Sequence, residues 1–373
     1  MTLKHLNILY YKTMSYSLFT EVLGIVPGTD WCSTWDASRT IILRQTSKKV
    51  RDVIDIIRPP TDVVVNRNYW EDISNGAANE KIEFVKQKII RLATTCNISR
   101  IVLPCDMNVH LESFGGVLEK CKNIPNLNFY NNPNNPNNRK INAVDIANNI
   151  DVFERCVYLN IDNNDIGTEG TEQLVQVLTQ CTNLNISCNN IGTAGLKSIE
   201  NCKTLTSLTH LNLCRNEIVE INIEKILVQN TGLTHLILCQ NHIFTLSYDM
   251  IGIQTKCFAL LELNIAYNHL GAEGATSLAG VLPQCPALIN LNIAYNFIGE
   301  EGGLILSEVI GNCSQLSKLI LVSNMIGETG IENIVAELSH CPNMNYLPLI
   351  GNGVGEDCKK RITEMLGNGV YLG

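Results

Sequence analysis

The chain has 373 residues and a formal net charge of −8, so its overall charge gives no general attraction to nucleic acid or to an anionic membrane. Hydrophobic residues make up 45% and charged residues 17%, a composition that folds rather than one that stays disordered. No apolar run approaches the ~20 residues a membrane-spanning helix needs, and the start of the chain, broken by Lys4, His5 and Lys12, makes a poor signal peptide. The expected compartment is the cytoplasm, with neither nucleic acid nor membrane among the partners.

Residues 1–60 do not repeat and are expected to form a helical N-terminal segment, with Met14 offering an alternative start. Apolar Leu18, Val22, Leu23, Ile25 and Val26, a turn from Pro27 to Asp30, then Trp31 and Trp35 suggest two short packed helices. On Leu18, Glu21, Val22 and Leu23 this segment resembles the opening of an F-box, and Ser38–Arg39 falls where F-boxes often carry a serine or cysteine and an arginine; Phe19 stands in the place of the usual proline. The resemblance implies that Leu18, Val22, Leu23 and Ile25 face a Skp-type adaptor. The same residues also read as an amphipathic cap over the first repeat, which a solenoid needs in any case. Arg44, Lys48, Lys49 and Arg51 read as a solvated helix face, and Pro59–Pro60 ends the segment.

Residues 61–156 read as divergent repeats. Val63–Val65 and Ile101–Leu103 are expected strands, with a helix near Glu80–Leu92 between them. The run 131–138, made only of Asn and Pro, is a surface loop.

From 157 to 373 the chain repeats itself. Asn268, Asn296, Asn324 and Asn352 mark a fixed step of 28, each at the end of a Leu-x-Leu-x-x-Asn frame (Leu347-Pro348-Leu349 in the last). A period of this length signals a solenoid. Within one unit Leu291-x-Ile293 alternates as a strand, whereas Ala275, Leu278, Leu282 and Cys285 step by three and four as a helical stripe. Asn268, Gly271 and Gly274 are expected to turn the chain between them, since Asn tolerates left-handed backbone and bonds nearby main chain, and Gly adopts positive φ cheaply. A single unit cannot bury its apolar face, so the units must stack.

The runs at 159–170, 263–274, 291–302 and 319–330 carry Leu-x-Leu-x-x-Asn-x-Ile-Gly-x-x-Gly, with Leu270 in the Ile place of the second. They resemble the leucine-rich repeat in its longer, ribonuclease-inhibitor-like form. The resemblance implies an α/β solenoid, a horseshoe with a concave parallel β-sheet, outer helices and binding on the concave face. Two steps, Asn164–Asn189 and Asn216–Asn241, shorten to 25, and the turns after Asn216 and Asn241 lack the Ile-Gly signature. Polar drift after Asn352 fits the end of an array.

Of the fifteen cysteines, Cys181, Cys285, Cys313 and Cys341 share one slot of the repeat, and Cys121, Cys156 and Cys257 hold similar places. They are expected to be buried packing residues, with neither disulfide nor metal. His210, Cys214, His235 and Cys239 fall on the concave face of successive strands, but four residues along a strand span roughly 13 Å. That excludes one tetrahedral four-ligand site, whose donors must lie within about 2.0–2.3 Å of the metal. Gly192–Ser198 lacks the Gly-Lys pair of a nucleotide-binding loop. No nucleophile pairs with a base, so no cofactor, no metal and no catalysis are expected.

What the concave face offers is recognition. Asn160, Asn185, Asn212, Asn264 and Asn292 share the position between the two strand leucines, and Asn163, Arg215, Gln240, Tyr267 and Tyr295 stand just before each turn. Tyr and Arg are frequent interface anchors. The expectation is a non-enzymatic scaffold whose site comprises Asn212, Arg215, Gln240, Asn264, Tyr267, Asn292 and Tyr295, gripping a partner protein. With an F-box it would be a substrate receptor of a cullin-type ubiquitin ligase. Without one it would be a regulator or inhibitor resembling Ran GTPase-activating proteins or the ribonuclease inhibitor, acting by the array alone.

Overall fold

The computed structural model describes residues 125–129, 140–247, 259–367 and 370–372, together with the strands at 40–43, 62–65 and 100–102. The chain divides into two units, Met1–Lys140 and Ile141–Gly373. In the first, β1 (Thr40–Leu43), β2 (Asp62–Val65), β3 (Arg100–Val102) and β4 (Asn126–Asn128) pair in parallel, each with the next. β2 and β3 fall where apolar alternation places strands. β1 lies inside the stretch expected to be helical: Thr40, Ile41 and Ile42 are β-branched and fit an extended, pleated chain better than a helix. Leu18, Val22, Leu23, Ile25, the helix expected near 80–92 and the loop 131–138 lie outside the described residues.

The second unit is a stack of strand, turn and helix. Its strands are β5 (Tyr158–Asn160), β6 (Asn183–Asn185), β7 (His210–Asn212), β9 (His235–Ile237), β11 (Glu262–Asn264), β12 (Asn290–Asn292) and β13 (Lys318–Ile320), parallel and in that spatial order. Their central leucines lie in register, Leu159 beside Leu184 and on to Leu319, and all are buried. Short helices α1 (Ala143–Asn148) and α2 (Ile150–Phe153) precede the first of these strands. The repeat helices are α3 (Gly167–Val177), α4 (Gly192–Asn201), α5 (Ile223–Gln229), α6 (Gly271–Val281), α7 (Gly299–Ile310), α8 (Gly327–Glu337) and α9 (Glu356–Leu366). The predicted stripe is inward: Ala275, Leu278, Leu282 and Cys285 are fully buried, with α6 ending in a 3-10 turn at Leu282–Gln284. The parallel sheet with helices between its strands is the α/β solenoid expected of leucine-rich repeats.

The turn works differently from the expectation. The marker asparagines bond nearby main chain as expected, but they are buried and not left-handed. Asn296 donates through Nδ2 to the carbonyls of Ile293 (3.0 Å) and, one repeat back, Ile265 (2.8 Å), while its own N–H donates to Asn324 Oδ1 at 2.8 Å. The left-handed positions are the residue before the asparagine (Tyr295, φ 55°), the residue after it (Phe297, φ 57°) and the glycine that opens the helix (Gly299, φ 70°). Gly274 lies within α6 and turns nothing; a Cβ there would stand 2.6 Å from Leu270 Cβ. Where the opening glycine is replaced by Val219 or Phe244, positive φ is unfavourable for these side chains. The chain stays extended instead, and β8 (Glu220–Asn222) and β10 (Thr245–Ser247) pair as a separate two-stranded parallel sheet.

Candidate recognition face

The open face of the sheet is the one the central leucines turn away from, and it reads as columns, one residue per repeat. Asn212, Asn264 and Asn292 occupy one column. Each has its Oδ1 committed to the chain, accepting the N–H two residues on, from Cys214 (3.0 Å), Ala266 (3.1 Å) and Ala294 (3.1 Å). Asn160 and Asn185 do the same to Asp162 and Ser187. The repeated asparagine is therefore first a strand terminator, and what it can offer a ligand is its Nδ2 donor and the second lone pair of its Oδ1. Ile237 and Ile320 interrupt this column.

Arg215, Gln240, Tyr267 and Tyr295 form the neighbouring column, each in left-handed backbone at the end of its strand. Their amides are fixed to the next repeat: Tyr267 N–H to Ala294 O and Tyr295 N–H to Val322 O, both at 2.8 Å. Arg215 Nε donates to Gln240 Oε1, linking two repeats on the surface. Tyr267 and Tyr295 stack with ring centroids 4.2 Å apart and planes 10° from parallel, yet remain 48% and 40% exposed. Partial desolvation, and then the hydrogen bond to Tyr295, raise the Tyr267 phenol above its ordinary pKa. Beyond Tyr295 the column shrinks to Ser323 and Gly351, while exposed Phe297, Met325 and Ile350 give this end of the face an apolar rim.

His210 and His235 face outward from adjacent strands and stack at 4.2 Å. Each Nδ1 meets the hydroxyl of the preceding threonine, Thr209 at 2.9 Å and Thr234 at 2.8 Å. Those hydroxyls already donate to the carbonyls of Thr182 and Thr209, so the imidazoles must donate from Nδ1 and turn Nε2 outward. Glu262 Oε2 lies 4.0 Å from His235 Nε2. The parallel planes do not aim their Nε2 lone pairs at a common point, and no group of three His, Cys, Asp or Glu among the described residues is arranged to hold a metal.

The cysteine expectation needs correction at one place. Cys156 and Cys285 are buried, Cys181, Cys202, Cys313, Cys341 and Cys358 are free and buried, and burial pushes the Cys181 and Cys313 thiols up to about 12. Cys214 and Cys239, however, form a disulfide with Cα atoms 4.7 Å apart. The physical reason is the register itself: cysteines in one column of adjacent parallel strands are separated by the inter-strand spacing, which lies within disulfide range. Their shared column on the open face was legible in the sequence, but packing in the inward slot accounts only for Cys181, Cys285, Cys313 and Cys341. A second surface ladder, His242–His269–Phe297 with centroids 5.7 and 5.9 Å apart, was also missed, because it falls after the marker asparagine rather than on the strand.

Buried leucine columns, a buried asparagine ladder and glycine-opened helices on one side of a parallel sheet define the second unit as a leucine-rich repeat solenoid. No protein-family model and no curated protein matches the chain. Among solved structures, a leucine-rich repeat protein of Leptospira interrogans is similar at 17% identity over 89% of this chain and 93% of that one, with a TM-score of 0.40. The assignment of the fold therefore rests on the repeat geometry. Among the described residues no helix is long and apolar enough to cross a membrane.

Proposed function

We propose that the protein is a non-enzymatic recognition scaffold that grips a partner protein on the open face, from Asn212, Arg215 and Gln240 across to Asn264, Tyr267, Asn292 and Tyr295. The observation that carries this reading is the Tyr267–Tyr295 stack: two large side chains ordered against each other and left exposed. Preordered aromatic surface lowers the entropy lost on binding, and tyrosines are frequent hot spots. The finer reading, a receptor of a cullin-type ubiquitin ligase in the cytoplasm, rests on the F-box resemblance at Leu18, Glu21, Val22 and Leu23. The alternative is a ribonuclease-inhibitor-like regulator acting through the array alone.

One co-precipitation experiment with the full chain tests both levels. Tyr267→Ala with Tyr295→Ala should weaken partner capture by about 2 kcal/mol or more, as for a hot-spot pair, with the melting temperature nearly unchanged. Glu300→Ala with Glu301→Ala, at the start of α7, should do little. Equal loss from both pairs would remove the special status of the open face. In the second arm Leu23→Asp should abolish capture of a Skp-type adaptor by placing an unpaired charge in that interface. An adaptor that never binds the wild-type chain would sink the ligase reading and leave the scaffold standing.

A further inference from the structure

We propose that Cys214 and Cys239 form a reversible thiol–disulfide exchange site in the middle of the open face, opened by low-molecular-weight thiols of the glutathione class. The inference stands independently of what the face binds. Three observations carry it. First, the backbone brings the two cysteines together without help from the bond: Leu213 N–H donates to Ile237 O at 2.8 Å and Arg215 N–H to Cys239 O at 3.0 Å, on either side of Cys214. The side-chain amides of Asn216 and Asn241 both donate to Leu213 O, tying the same two repeats together below (3.1 and 3.0 Å). The 4.7 Å Cα separation is that of neighbouring strands, so the site keeps its shape whether the sulfurs are joined or not. Second, both residues are half-exposed on the open face, whereas the free cysteines among the described residues are buried, Cys188 excepted. Buried thiols are inert, and exchange needs access. Third, Arg215 follows Cys214 directly and holds its guanidinium on Gln240, whose Oε1 lies 3.8 Å from Cys214 Sγ. A cation beside the leaving sulfur favours its departure as a thiolate.

The steps balance. A small-molecule thiolate attacks one Sγ, the S–S bond breaks, and the other cysteine leaves as a thiolate that takes a proton from water. A second thiolate of the same class attacks the mixed disulfide, releasing the oxidised small-molecule disulfide and the second cysteine. Two electrons pass from two small thiols to the cystine, and excess oxidised small-molecule disulfide drives the reverse. The site lies between Asn212 and Arg215, so opening it places two thiols where a partner would touch.

The test uses the full chain equilibrated in glutathione buffers of graded ratio, alkylated under native conditions and mapped by peptide mass spectrometry. In the reduced buffer, labelling of Cys214 and Cys239 should rise by an order of magnitude while circular dichroism stays native. Buried Cys181, Cys285 and Cys313 should label in neither buffer. Cys214→Ser should trap a glutathione adduct on Cys239. A bond that opens only when the chain unfolds, or a pair that stays reduced in oxidised glutathione, would overturn the proposal.

Discussion

The stacked imidazoles of His210 and His235 show how much one threonine hydroxyl decides. Its proton goes to a carbonyl, so it can only accept from the ring beside it, and the tautomer of each histidine follows. Burial and, next, the neighbouring His235 hold the His210 pKa below 6.5, against a smaller opposing pull from Glu262. The fold thus favours neutral His210, and below 6.5 the unfolded chain takes up the proton first. By linkage this contribution to stability is complete above the unfolded pKa and is lost as pH falls through 6.5 toward the folded value. Denaturant unfolding on either side of 6.5 should show lower stability on the acid side, and His210→Gln should flatten that slope. An unchanged slope in the variant would mean that His210 is not the titrating group. The same residue pair was legible in the sequence as a ladder, from two copies of Leu-Thr-His-Leu. Its tautomer was not, because that depends on a hydroxyl–carbonyl contact between repeats.

At the level of elements, glycine does two separate jobs that look alike in a sequence. Gly299 opens α7 at φ 70°, whereas Gly302, inside α7, admits the neighbouring helix. A Cβ on Gly302 would meet Ala275 Cβ at 3.1 Å and the Ala272 backbone Cα at 3.3 Å, both on α6. An exposed helical Gly→Ala change normally stabilises by about 1 kcal/mol; here the close approach of α6 opposes that gain. Gly302→Leu should be destabilising by about 1–3 kcal/mol, the usual range for overpacking, as read from urea unfolding. A neutral or stabilised variant would show that α6 and α7 separate freely. This distinction explains what could be read from letters and what could not. The apolar slots of Leu291, Ile293, Ala275, Leu278, Leu282 and Cys285 declare themselves by period, because burial selects apolar side chains directly. Loss of Ile-Gly after Asn216 and Asn241 flagged two irregular turns, but not the β8–β10 pairing, which needs both turns side by side. Left-handed Tyr267 and Tyr295 were read only as surface anchors, since nothing in a tyrosine announces positive φ.

For the array as a whole, the asparagine ladder is the part that cannot be divided among repeats. Asn324 donates through Nδ2 to Ile293 O at 2.8 Å and takes the N–H of Asn296 on its Oδ1, also at 2.8 Å; Asn352 repeats the pattern one step on, from Leu321 O to the N–H of Asn324. Each amide thus bonds only its own repeat and its neighbours, and α6, α7 and α8 pack successively in the same way. Coupling of this kind makes stability a sum of unit and interface contributions, with unfolding able to spread outward from a weak link. Asn296→Ala removes a fully buried amide and leaves the acceptors at Ile265 and Ile293 short of a donor, at a cost of about 2–4 kcal/mol. The damage should not be shared evenly. Hydrogen exchange read by mass spectrometry should show amides from β12 through Asn352 losing protection first, with those of β5, β6 and β7 keeping most of theirs. Leu319, Leu321 and Ile326 are one interface from Asn296, whereas Leu159 and Leu184 lie several interfaces away. Uniform loss along the described array would show that it unfolds as one cooperative body, and the nearest-neighbour account of this solenoid would fail.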